Sequence, residues 1–163
     1  APTEANVKTL RFSDRYLGLP ARFAVLKAKE MDPTPEELAG KPISVVGGTV
    51  HEAFLKAYFA DAEILAYDTA TEARAAIGTD EVVAHFGDGL SLSFWLNGTT
   101  SGDCCTFAGG PWIEPGYFDR GMAIAFRAED SVRQAAVDHA LNRLQINGVY
   151  SELYLRYFPV GFY

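Results

Sequence analysis

A chain of 163 residues has room for one domain, or for a domain with an appendage. With 48% hydrophobic and 13% aromatic residues it can fill a packed core, which excludes a disordered chain. The net charge of −7 argues against nucleic acid or an anionic membrane surface as partner. No apolar run approaches the roughly 18–20 residues of a membrane-crossing helix, and no signal peptide is evident, so any export signal is expected to have been removed or left out.

The dense feature of the first twenty residues is Phe12-Ser-Asp-Arg-Tyr16. Residues 21–27 (Ala-Arg-Phe-Ala-Val-Leu-Lys) read as a strand by apolar content. Thr34 as N-cap, Pro35 at the first helical position, Glu37 three residues past the cap and Gly40 beyond the end predict a short helix. A strand over 43–46 then runs through Gly47 and Gly48 into a helix over 49–60, where Thr49 and Glu52 have capping-box spacing. The two glycines keep side chains off this turn. They leave backbone N–H groups at the positive end of a helix, a geometry suited to a carboxylate or phosphate. Taken alone, the stretch reads first as an ordinary capped strand–turn–helix, and the lysine and glycine spacing of a P-loop are absent.

The pattern repeats. Residues 63–67 read as a strand. Thr69 and Glu72 form a second capping box, opening a helix through Ile77 with Ala73, Ala76 and Ile77 inward. Residues 82–86 (Val-Val-Ala-His-Phe) are apolar enough for a strand buried on both faces. Gly87-Asp88-Gly89 ends it and opens a helix over 90–97, closed by Asn97-Gly98. Strands alternating with helices indicate a mainly parallel α/β sheet, with ligands beyond the carboxyl ends of its strands. The Gly47-Gly48-Thr49 turn and Asp88 both stand at such ends, donors for an anion and a carboxylate for a cation. Together they suit a zwitterion.

Residues 98–116 are turn-rich and carry Cys104, Cys105 and Trp112; 121–126 again read as a strand. Ser131 and Gln134 are expected to cap a helix reaching Ile146, with Val132, Ala136, Ala140 and Leu144 on one stripe, an apolar face with no obvious partner in this chain. Asn147-Gly148 stops it, and 149–158 form a last helix ended by Pro159. His51 and His139 read as solvated helix residues and His85 as a hydrogen-bonded core histidine. The three are too scattered for a metal site. No nucleophile–base pair and no Gly-x-Ser-x-Gly elbow is visible, so neither an enzyme nor a cofactor is expected.

The ordered blocks resemble the extracellular solute-binding proteins of family 3, the polar-amino-acid receptors of bacterial ABC importers. Phe12-Ser-Asp-Arg-Tyr16, Leu38-Ala-Gly-Lys-Pro-Ile-Ser-Val-Val-Gly-Gly-Thr49, Phe86-Gly-Asp88, Gly121-Met-Ala-Ile-Ala125 and Leu141-Asn-Arg-Leu-Gln-Ile-Asn-Gly-Val-Tyr150 carry the resemblance across nearly the whole chain. It implies a type II periplasmic binding protein-like α/β fold: one complete lobe plus hinge strands and C-terminal helices of the other. Residues 1–27 would be the end of lobe one and the first hinge strand, and 28–116 lobe two. Residues 117–163 would be the second hinge and the helices returning to lobe one, most of which is missing.

By the same resemblance Gly48 and Thr49, in the turn begun by Gly47, would hold a ligand α-carboxylate and Asp88 its α-ammonium, while Val46 would face the ligand's tail. The family's carboxylate-pairing arginine falls at Asn6 in the block Thr3-Glu-Ala-Asn6, and Asn cannot make the bidentate pair. Val83 replaces a family aspartate read as structural. Cys104 and Cys105 are expected as a vicinal disulfide or as two buried thiols. The implied function is periplasmic binding of an amino acid for an ABC importer's membrane permease. The alternative is a ligand-blind lobe acting as an interaction, sensor or oligomerisation module, with a homodimer or a separate lobe-one chain as partner.

Overall fold

The computed structural model describes residues 6–158 and 161–162. Thr3, Glu4 and Ala5 of the block before Phe12, and the helix-ending Pro159, lie outside the described residues. In chain order the strands are β1 (Leu10–Phe12), β2 (Ala21–Leu26), β3 (Pro42–Val46), β4 (Glu63–Tyr67), β5 (Ala84–Asp88), β6 (Cys105–Trp112) and β7 (Ala125–Arg127). The helices are α1 (Val50–Tyr58), α2 (Ala70–Gly78), α3 (Gly89–Asn97), α4 (Ser131–Ile146) and α5 (Val149–Tyr157).

The main sheet has the order β4-β3-β5-β2-β6. β3 runs parallel to β4 and β5, while β2 is antiparallel to both β5 and β6. Four strands therefore point one way and β2 the other, which keeps the sheet mainly parallel in direction. β5 begins two residues later than the apolar run suggests and continues through Gly87 and Asp88. The reason is non-local: Arg22 and Ala21 of β2 pair with Gly87 and Asp88. β6 lies in a stretch that the sequence marks as turns. It is an edge strand, where Pro111 leaves no buried partner without a donor, and the register shift against β2 falls near Gly109, whose φ is +63°. The expected helix after Thr34 is a single hydrogen-bonded turn. Thr34 caps it as anticipated, its Oγ1 accepting from the Glu37 N–H at 3.2 Å. A segment that short has too few i→i−4 bonds to propagate.

Both faces of the sheet are covered. On one, α1 packs Phe54 against Phe86 and its C-cap residue Phe59 packs against Phe23, with ring centroids 5.4 Å apart in each pair. On the other, α2 and α3 bring Ala76, Ile77 and Leu92 over Ala24. Burying each large apolar side chain is worth about 1.5–3 kcal/mol. His85, between the layers, is 1% exposed. The Ser44 hydroxyl donates to the Ala73 carbonyl at 2.7 Å, so it accepts from His85 Nδ1–H at 3.1 Å. Burial first, then the Arg74 charge, pushes the His85 pKa down to about 3. It is the hydrogen-bonded core histidine the sequence suggests. His139 is exposed, also as read.

Two crossing segments leave this sheet for the remaining elements, paired where the Met122 N–H donates to the Leu17 carbonyl at 2.7 Å. Beyond them β1 and β7 form a two-stranded ribbon carrying α4 and α5. Here α4 keeps its expected bounds, but its expected cap fails. Its N-cap is Asp130, without a side-chain capping bond, and the Gln134 amide instead donates to the Phe12 carbonyl at 2.6 Å. The stripe Val132, Ala136, Ala140, Leu144 faces outward, with Val132 84% exposed. No residue of α4 or α5 is buried.

Candidate ligand site

The turn between β3 and α1 is built by its glycines. Gly48 sits at φ +70°, a left-handed conformation that glycine adopts without penalty. Thr49 caps α1 through its Oγ1, which accepts from the Glu52 N–H at 3.4 Å, and its own hydroxyl donates to the Val46 carbonyl at 2.7 Å. The reciprocal half of the capping box is displaced by one residue: the Glu52 carboxylate accepts from the Gly48 N–H at 2.7 Å. The hydrogen bond from Lys56, followed by that from Gly48, holds the Glu52 carboxyl below the usual carboxylate range. The Gly47 N–H donates to the Tyr67 carbonyl at 2.9 Å. The turn thus accepts a carboxylate, and the one it holds is the chain's own.

Asp88 closes β5 and caps α3, its Oδ1 accepting from the Ser91 N–H at 2.7 Å. A carboxylate has further lone pairs for a second donor, so capping does not exhaust it. Asp88 lines a cleft of about 210 Å³ together with Val50, His51, Phe118, Arg120 and Gly121. Val50 and His51 open α1, and first-turn amides have no intrahelical acceptor. The cleft therefore joins the positive end of a helix to a carboxylate. Val46, Gly47, Gly48 and Thr49 form the turn immediately before its wall and do not line it.

Sequence reasoning missed three of these groups. His51 is not a solvated helix residue. Its ring stacks on Phe118 at 5.2 Å and meets Phe86 edge-on at 5.9 Å. Burial lowers its pKa and the Asp88 carboxylate opposes that shift. Arg120 and Phe118 come from the returning segment, far from α1 in sequence, and no local pattern announces them. Gly121 is required there: its φ is +58°, and a Cβ would lie 2.7 Å from the Leu17 carbonyl.

A larger hollow of about 650 Å³ lies between residues 15–18 and α5. The cation on its wall, Arg15, already donates to the Asp119 carbonyl, and no carboxylate lines it. The smaller cleft is the one with complementary charges. Among the described residues no group of three or more His, Cys, Asp or Glu side chains could hold a metal, and no helix is long and apolar enough to cross a membrane. Cys104 and Cys105 are joined as a vicinal disulfide, with Cα atoms 3.7 Å apart.

No family model matches the chain. It is 25% identical over 163 residues to an L-arginine-binding protein of Pseudomonas aeruginosa and 26% identical over 163 residues to a histidine-binding periplasmic protein of Escherichia coli. In both comparisons 99% of the chain is aligned, and it spans 63% of the relative's length. The second substrate-binding domain of Lactococcus lactis GlnP, in an open conformation, superimposes with a TM-score of 0.81 at 15% identity, covering 99% of this chain and 67% of that one. The second substrate-binding domain of a putative amino-acid ABC transporter from Streptococcus pneumoniae gives 0.81 at 18%, covering 97% and 69%. The fold is that of the type II periplasmic binding proteins. Its curated relatives are periplasmic amino-acid-binding proteins.

Proposed function

We propose that the chain is the amino-acid-binding part of a periplasmic solute-binding protein, handing its ligand to the membrane permease of an ABC importer and catalysing no reaction. The observation that carries this is the cleft where Asp88 meets the amino end of α1. An α-ammonium sits on the free lone pairs of Asp88, and an α-carboxylate takes the amides of Val50 and His51, with Arg120 on the same wall. Entry of that carboxylate toward Gly48 and Thr49 displaces Glu52 from the Gly48 amide. Val46 and Gly47 shape the turn. In this reading residues 28–116 form the ligand lobe, and the two crossing segments are the hinge.

The relatives' names, which cite arginine and histidine, choose the probes. Calorimetric titration with L-arginine and L-histidine is expected to give one saturable site, at least ten-fold weaker in Asp88→Asn. Agmatine, which lacks the carboxylate, is expected to bind more weakly than arginine. Unchanged affinity in Asp88→Asn overturns the assignment.

The exposed apolar side chains of α4 and α5, Val132, Ile146 and Leu155 among them, favour a second reading as an interaction or oligomerisation module. A concentration-independent monomer in sedimentation velocity excludes it.

A further inference from the structure

Among the described residues Arg74 is a cation with an aromatic neighbour but no hydrogen-bonding or ion-pair partner. It projects from the middle of α2, half-buried, and among the described residues it makes neither a hydrogen bond nor an ion pair; its Nε is fully buried and unsatisfied. The nearest compensation is the face of Trp95, 5.8 Å from the guanidinium carbon, and the more distant field of Asp88. Burial lowers its pKa, and Asp88 only opposes that shift. A half-buried charge left unpaired costs free energy that an arriving anion would recover.

The space around it is shaped for such an anion. Arg74 and Trp95 line a pocket of about 330 Å³ between α2, α3 and the turn before β6, within the ~300–1,000 Å³ range of small-molecule sites. Thr71 and Thr100 bring hydroxyls to its wall, and Cys104 brings one end of the vicinal disulfide. No acidic side chain lines it. One cation, an aromatic face, a disulfide and the hydroxyls of Thr71 and Thr100 match an anionic head on a compact apolar body; the third hydroxyl on the wall, Ser101, is turned to the Leu96 and Gly98 carbonyls. Guanidinium is the side chain that grips a carboxylate through two parallel N–H bonds.

We propose that the pocket between α2 and α3 is a second binding site, for a small carboxylate-bearing molecule whose carboxylate pairs with Arg74 and whose apolar body lies between Trp95 and the Cys104–Cys105 disulfide. It shares no lining residue with the cleft at Asp88, so it stands or falls independently of the amino-acid reading.

The test is a nitrogen–proton correlation titration of the intact chain with benzoate. The indole N–H of Trp95 and the amides of Thr71, Gly78 and Thr100 are expected to shift together and saturate, with a Kd on the order of 1 mM. Benzamide, isosteric and uncharged, is expected to bind at least ten-fold more weakly. Arg74→Gln is expected to lose at least ten-fold in affinity, and Arg74→Lys, which keeps the charge without the fork, to fall between the two. Asp88→Asn keeps the site. Thermal melts identify any variant that fails to fold, and Arg74→Lys with benzamide then decides. Absence of saturable shifts, equal binding of benzamide, or Arg74→Lys and Arg74→Gln variants that both bind as wild type overturn the proposal.

Discussion

The five-stranded sheet and the C-terminal helix pair obey different rules. In the sheet every large apolar side chain has a destination. Phe54 alone meets the rings of Phe59, Phe86, Trp112, Tyr117 and Phe118, and the one buried histidine has a serine for its N–H. In α4 and α5 the helices form equally well, yet none of their residues is buried. A sixteen-residue helix and its stop are legible from sequence, though its cap is not. What it packs against is not. The difference teaches that periodicity identifies a stripe, and only the tertiary partner decides whether that stripe is an interior.

The largest expected effect sits at the centre of the packed half. Phe54→Ala is expected to cost about 3–5 kcal/mol in urea unfolding followed by tryptophan fluorescence, because the cavity is walled by rings that cannot all collapse. A loss below about 1 kcal/mol would mean the aromatic cluster is far looser than its geometry.

The next effect is acid-dependent. The folded pKa of His85 is about 3, below the ordinary value of 6.5, so the unfolded chain binds the extra proton in between. Its contribution is therefore complete above pH 6.5 and is lost as pH falls toward 3, at up to ~1.4 kcal/mol per pH unit. His51, also lowered, acts with the same sign. Between pH 6.5 and 4.5 the slope of stability against pH is expected to flatten in His85→Asn. An identical slope would place His85 in water.

Gly121→Ala is expected to cost about 1–3 kcal/mol, through its left-handed φ and the contact with the Leu17 carbonyl. Its effect should appear both in unfolding and in weakened ligand affinity, since Gly121 lines the cleft. At the small end stand the exposed residues. Val132→Ala on α4 and Lys29→Ala, whose partner Asp80 is equally open to solvent, are each expected to move stability by no more than about 0.5 kcal/mol. A cost above ~1 kcal/mol for Val132→Ala would show that a partner covers α4 in solution and would break the comparison.

What was legible follows the range of the interactions. Capping is local, so Thr49, Thr69 and Asp88 were readable as helix starts, and the parallel β3–β4 pair followed from the alternation of strands and helices. β6 was not readable: its Gly109-Gly110-Pro111 segment signals a turn, and only pairing with β2 makes it a strand. The site divides the same way. Asp88 was visible because a strand end followed by a helix start is a local pattern. His51 was misread because the ring it stacks on, Phe118, arrives from a segment 67 positions later. The engagement of Gly48 by Glu52 needed coordinates, since capping boxes normally close on the cap residue itself.

The central claim is that one cleft takes both ends of an amino acid, and a crystal structure of the chain grown with saturating L-arginine tests it most directly. The account predicts density for the α-ammonium on Asp88 and for the α-carboxylate at the amides of Val50 and His51, with Glu52 released from Gly48. An empty cleft, or arginine bound elsewhere while Asp88 contacts only Ser91, would contradict it.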